Sequence, residues 1–149
     1  MRKTILGFML ATGLAGAAQA ADYVVVKSTD PAVRPGVELS AGQRIALGAG
    51  QTLTLMSAAG SISTLRGAAG GAVTPRAGAQ PDNARMAALK TLVDPPPTGR
   101  TFGARRSGVC PDPSTLKTLD EILAVQSSGC AVQARAALET YIAEQASKP

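Results

Sequence analysis

Apolar side chains fall at every second position in two runs of this chain, Arg44-Ile45-Ala46-Leu47 and Thr52-Leu53-Thr54-Leu55. A strand sends successive side chains to opposite faces, so Ile45, Leu47, Leu53 and Leu55 belong to one face of a sheet. Gly48-Ala49-Gly50 lies between the runs, and glycine accepts a positive φ without steric cost, which reads as a hairpin turn. Ala58-Ala59-Gly60 repeats that signal before Ser61-Ile62-Ser63-Thr64-Leu65-Arg66. Upstream, Tyr23-Val24-Val25-Val26-Lys27 is rich in β-branched residues and reads as a strand, ended by Ser28-Thr29-Asp30-Pro31. Arg34-Pro35-Gly36 is a further turn signal, and Val37-Glu38-Leu39 a third short strand. About five strands therefore precede Gly71. The expectation is a small antiparallel meander or sandwich, with one face dry and one wet.

The period changes after Gly71. Val73 to Pro81 is linker-like, and Asp82 stands as an N-cap. Met86, Leu89, Leu92 and Val93 then follow helical spacing until Asp94-Pro95-Pro96-Pro97, where proline removes a donor and restrains the residue before it. Pro95 to Gly108 has no period and reads as a surface loop. In the tail, Leu116, Leu119, Ile122, Leu123 and Val125 lie along one helix face. Asp120 and Glu121 sit near its start, where the helix dipole favours them. Ser127-Ser128-Gly129 ends that helix. A second runs from about Ala131, with Ala134, Leu138, Tyr141 and Ile142 as its stripe.

The first twenty residues stand apart. Arg2 and Lys3 precede an apolar run from Ile5 to about Ala18, and Ala18-Gln19-Ala20 is a small-x-small pattern. This is the layout of a secretory leader, with cleavage between Ala20 and Ala21. The run is shorter than the ~20 residues of a spanning helix and carries three glycines. No later stretch is long and apolar enough to span a bilayer. The organisation read from the sequence is a leader at 1–20, a β domain at 21–75, a basic linker with one short helix at 76–109, and a helical segment at 110–149.

Export changes the reading of Cys110 and Cys130. An even pair in an oxidising compartment reads as one disulfide. The chain has no histidine, and two thiolates make only half a zinc site. The spacing is also far from Cys-x-x-Cys. The bond constrains the tail. A helix from Pro113 to Ser127 would be about 22 Å long, whereas disulfide-bonded Cα atoms lie within about 7 Å. Thr118-x-x-Glu121 resolves the conflict as a capping box that starts the helix late, near residue 119, while Cys110 to Lys117 double back along it. The sequence leaves open whether tail and sheet share a core.

Charge concentrates in the middle of the chain. Residues 76–109 hold Arg76, Arg85, Lys90, Arg100, Arg105 and Arg106 against Asp82 and Asp94, and residues 110–149 hold more acids than bases. Arg100, Arg105 and Arg106 form a candidate anion-binding loop, for an anionic envelope polymer or for the acidic tail. Nucleic acid does not suit an exported chain without an aromatic-basic surface.

Catalytic patterns are weak throughout. The run Gly67-Ala68-Ala69-Gly70-Gly71 lacks the Gly-Lys-Ser/Thr ending of a phosphate loop and reads as turn glycines. Without histidine, Ser-His-Asp and Cys-His arrangements are impossible. Ser114-Thr115-Leu116-Lys117 is a Ser-x-x-Lys spacing beside the expected disulfide, common by chance. Asp22, Asp30 and Glu38 are the acids of the strand region; glycosidase chemistry would need two of them facing a cleft. No catalytic residue, cofactor or metal is expected.

Tyr23-Val-Val-Val, Gly36-Val-Glu-Leu, Gly42, Ile45-Ala-Leu, Gly50-x-x-Leu-x-Leu, Gly60 and Leu65-x-Gly67 together resemble small exported proteobacterial proteins of unknown function. Their rhythm over residues 23–71 is similar to the β-rich periplasmic domain of FecR-type regulators. The opening also resembles SAF-type domains, which assist pilus and flagellar assembly or bind glycans. These resemblances carry no catalytic residue. The sequence thus leads to an α+β protein: a β domain, a basic linker with one helix, and a disulfide-tied helix pair. The function expected is a non-enzymatic, exported binding or accessory protein of the envelope, periplasmic or secreted. Its partner would be an envelope protein or an anionic envelope polymer. The alternatives are a carboxylate-dependent envelope hydrolase and an inhibitor or partner subunit of an envelope enzyme.

Overall fold

Residues 21–76, 82–96 and 109–147 are described by the computed structural model. Their elements run β1 (Tyr23–Ser28), β2 (Glu38–Leu39), β3 (Arg44–Ile45), β4 (Thr52–Ser57), β5 (Ile62–Arg66) and β6 (Ala72–Val73), then α1 (Asn83–Val93), α2 (Leu119–Ser127) and α3 (Ala131–Ala146). A 3-10 turn at Pro113–Thr115 precedes α2. The class is α+β, as the hydrophobic pattern predicts.

Strand pairing departs from a simple meander. Four strands form one antiparallel sheet in the order β2-β1-β4-β5, while β3 and β6 pair in a separate ribbon. The run at 44–47 therefore does not form a hairpin with the run at 52–56. It pairs with a stretch that reads as linker, Arg44 opposite Val73 and Ile45 opposite Ala72. Glycine makes this approach possible. A Cβ at Gly67 would run into the Gly48 carbonyl, and one at Gly71 into that of Ile45. Gly71 also holds φ at +80°, a conformation that side chains disfavour. Thr74 then locks the ribbon from inside: its buried hydroxyl donates to the Ser40 carbonyl (2.6 Å) and accepts from the Gln43 N–H (2.8 Å).

Both faces of the four-stranded sheet are covered at its centre, which corrects the expectation of one wet face, while Lys27, Thr64 and Arg66 are exposed. On one side Leu53 and Leu55 lie with Tyr23, Val25 and Leu39, and Ile45, Leu47 and Ala72 pack over them from the ribbon layer, so the four residues expected on one strand face meet in one core from two layers. The opposite face carries Val24 and Met56, both fully buried, under Met86, Leu89 and Leu92 of α1, Leu119 and Ile122 of α2, and Ala134, Ala137 and Leu138 of α3. The reason lies in Val24-Val25-Val26 and Leu55-Met56. These continuous apolar runs break the alternation and need cover on both sides. A bulge between Val25 and Lys27 shifts the β1–β4 register, and Val26 packs on the helix side. Sheet and tail thus share one core.

The helices follow their local signals. The Asp82 carboxylate accepts from the Arg85 N–H (3.0 Å) at the start of α1. Thr118 and Glu121 form a reciprocal capping box at the start of α2, as the spacing predicts. Leu116 lies outside α2, as the residue that caps the 3-10 turn. That turn packs on α3. Cys110 and Cys130 are bonded, with Cα atoms 5.8 Å apart. Arg85 ties three elements together: it donates to the Ala58 carbonyl (2.9 Å) and pairs with Asp120 of α2 (2.7 Å). The described helices include none long and apolar enough to cross a membrane.

Candidate functional site

Beyond its two residue pairs, the β3–β6 ribbon opens. Residues 44–49 and 68–71 line a groove of about 690 Å³ at that end. Two turns shape its walls. One is closed by the Gln51 N–H on the Gly48 carbonyl (3.0 Å), with the Gln51 amide oxygen accepting from the Gly48 N–H (2.6 Å). The other is closed by the Gly71 N–H on the Ala68 carbonyl (2.9 Å). Ile45 and Leu47 point into the core, so the surface left to the groove is Ala46, Gly48, Ala49, Ala68, Ala69 and Gly70, all exposed. Arg44 is the charged side chain of the lining, and its guanidinium reaches the Gly70 carbonyl at 3.4 Å.

This chemistry suits binding. Small side chains leave main-chain donors and acceptors within reach of a ligand, and an arginine fork recognises carboxylate or phosphate oxygens. Among the described residues, the lining holds no carboxylate, thiol or imidazole to move a proton. Its turn glycines were legible in the sequence as turns. That the small-residue runs 48–50 and 67–71 face each other follows from the β3–β6 pairing and was not legible in the sequence.

The carboxylates of the strand region are each engaged elsewhere. Asp22 accepts from the Ala41 N–H (2.8 Å), Asp30 from the Ala32 N–H (2.8 Å), and Glu38 pairs with Lys90 of α1 (2.7 Å). Asp22 also bears on Tyr23. Burial, and secondly the Asp22 charge, push the Tyr23 phenol above its ordinary pKa. The Ser114 hydroxyl donates to Asp112 (2.7 Å), and this bond with the Ser114 N–H holds the Asp112 carboxyl below its usual range. Glu121 is likewise lowered, first by the Thr118 N–H and then by that of Lys117. Among the described residues, no group of three or more Cys, Asp or Glu is placed to hold a metal ion.

Of the other predicted site residues, Cys110 and Cys130 are joined, and Ala21 packs partly buried against the helix-side core. Ala20 with the rest of the leader, and Arg100, Arg105 and Arg106, lie outside the described residues. Compared with known protein families, curated proteins and solved structures, the chain matches none.

Proposed function

We propose that this is an exported, non-enzymatic binding or accessory protein of the bacterial envelope, and that the groove beside the β3–β6 ribbon is its binding surface. The observation that carries the reading is the groove's lining: exposed main chain, small side chains and one arginine. The leader pattern and the Cys110–Cys130 bond agree with an oxidising compartment outside the cytoplasm. The likeness of residues 23–71 to the periplasmic β domain of FecR-type regulators points the same way. The partner is an envelope protein or anionic envelope polymer that presents an extended segment with an acidic group to Arg44. In this reading the chain starts at Ala21 after export.

The test is a cross-linking pull-down from intact envelope with a tagged chain, set beside the variant Ala46→Phe/Ala68→Phe. Both positions are exposed, so the variant fills the groove without touching the core. A discrete partner recovered with the parent and lost with the variant is expected. Equal recovery with both would remove the groove from the reading. Turnover of an envelope substrate by the purified chain would favour the hydrolase alternative instead.

A further inference from the structure

We infer that two copies of this chain pair through the outer edge of β5, making one continuous sheet across a two-fold axis. The β4–β5 ladder runs without a bulge from Thr52 opposite Arg66 to Met56 opposite Ile62. The Ser57 N–H donates to the Ser61 carbonyl (3.0 Å) and the Gly67 N–H to the Gln51 carbonyl (2.8 Å), which fixes the phase of the ladder. Bonded pairs alternate along antiparallel strands. Residues 61, 63, 65 and 67 therefore turn their main-chain groups toward β4, and Ile62, Thr64 and Arg66 turn theirs outward. β5 is the end strand, and among the described residues no strand pairs with its outer side.

The two ends of the sheet are treated differently. At the far end, β2 is two residues long, follows Pro35-Gly36, and carries the Glu38–Lys90 ion pair. Short length, proline and charge are the usual means of blunting an edge. β5 is five residues long, without proline or bulge, and its one charged side chain, Arg66, stands at its last residue. Its sequence complements itself about Thr64. Thr64 faces Thr64 of the second copy, a pair that stabilises antiparallel ladders. Ile62 faces the second copy's Arg66, whose aliphatic stem covers it while the guanidinium stays in water. The two Arg66 side chains stand four residues apart along the strands, about 14 Å, beyond the ~10 Å Debye length at 0.1 M salt. Every outward N–H and C=O of β5 finds a partner in this register. The pairing uses a surface other than the groove and does not rest on the envelope-binding reading.

The test is the mass of the chain from Ala21 by sedimentation equilibrium over a concentration series, with two substitutions. Twice the monomer mass is expected at high concentration. In Thr64→Pro the lost N–H points outward, so the β4 ladder is intact, and the variant should stay monomeric with an unchanged circular dichroism spectrum. In Thr64→Cys the paired Cα atoms would be about 5.5 Å apart, within disulfide reach, so mild oxidation should link two chains. Ile62→Cys, with its copies about 14 Å apart, should not link. A monomer at every concentration, a Thr64→Pro dimer, or equal linking by Ile62→Cys would overturn the pairing. If Thr64→Pro fails to fold, the two cysteine variants decide.

Discussion

On one face of the four-stranded sheet, α1, α2 and α3 lay Met86, Leu89, Leu92, Leu119, Ile122 and Leu138 over Val24 and Met56. On the other, a ribbon two residue pairs long lays Ile45, Leu47 and Ala72 over Val25, Leu53 and Leu55. The first layer is held by large apolar side chains, a disulfide and the Arg85–Asp120 pair. The second is held by main chain: glycines that admit a close carbonyl, and one buried threonine hydroxyl. A layer made of bulky side chains covers its face and leaves a smaller cleft, about 140 Å³, between Val26, Leu92, Leu138 and Ile142. A layer made of backbone leaves main-chain groups and small residues at its open end, and there the groove forms. In the proposed function the helix face is the scaffold, and the ribbon face offers the hydrogen-bonding surface for a ligand.

Four changes bear on that contrast. Leu89→Ala empties a fully buried position beneath α1 and should cost about 2–5 kcal/mol. Because Leu89 shares its core with Val24 and Met56, amide exchange should speed up in β1 and β4 as well as in the helices. Loss confined to the helices would separate the two layers. Replacing both cysteines with serine opens a loop with a sequence separation of 20. That should cost about 3 kcal/mol in the chain-entropy model, read as a shifted denaturation midpoint. The loosening should be greatest in the 3-10 turn, α2 and the start of α3. Gly67→Ala acts on the other layer. Its Cβ meets the Gly48 carbonyl, so the ribbon must shift, at about 1–3 kcal/mol, and exchange should rise around residues 45–48 and 72–74 while α1–α3 keep their protection.

The smallest effect concerns the cap of α2. Thr118→Ala should cost about 1 kcal/mol. Glu121 carries a pH signature there. Its carboxyl is lowered in the fold by the Thr118 and Lys117 N–H groups. Its contribution is therefore present above the ordinary glutamate value and lost as pH falls through the lowered one. Helicity at the start of α2 should decline on acidification below about pH 4, monitored by amide shifts. A flat profile would mean that the reciprocal cap contributes nothing.

Residues close in sequence made their structures legible, and residues distant in sequence did not. Asp82 and Thr118 announce α1 and α2 because a cap and its target are three residues apart. Cys110 and Cys130 are readable by count, and their bond forces the late start of α2 that the structure has. The β3–β6 pairing was not readable. Two-residue strands have no period, and what joins them is the approach of Gly67 to Gly48 and of Gly71 to Ile45. The covered second face was half visible, in Val24-Val25-Val26 and Leu55-Met56, but alternation at Leu53 and Leu55 dominated the pattern. The groove arises wholly from the pairing, so its position could not be read before the pairing was known.

The contrast between a covered helix face and an open ribbon face proposed to bind is tested most directly by site-specific photo-cross-linking in intact envelope. A photoreactive amino acid would replace Ala68, in the groove wall, or Ala136, exposed on α3. The account predicts a discrete cross-linked product from position 68 and none from position 136. A product from 136 with none from 68 would place the binding surface on the helices and contradict it.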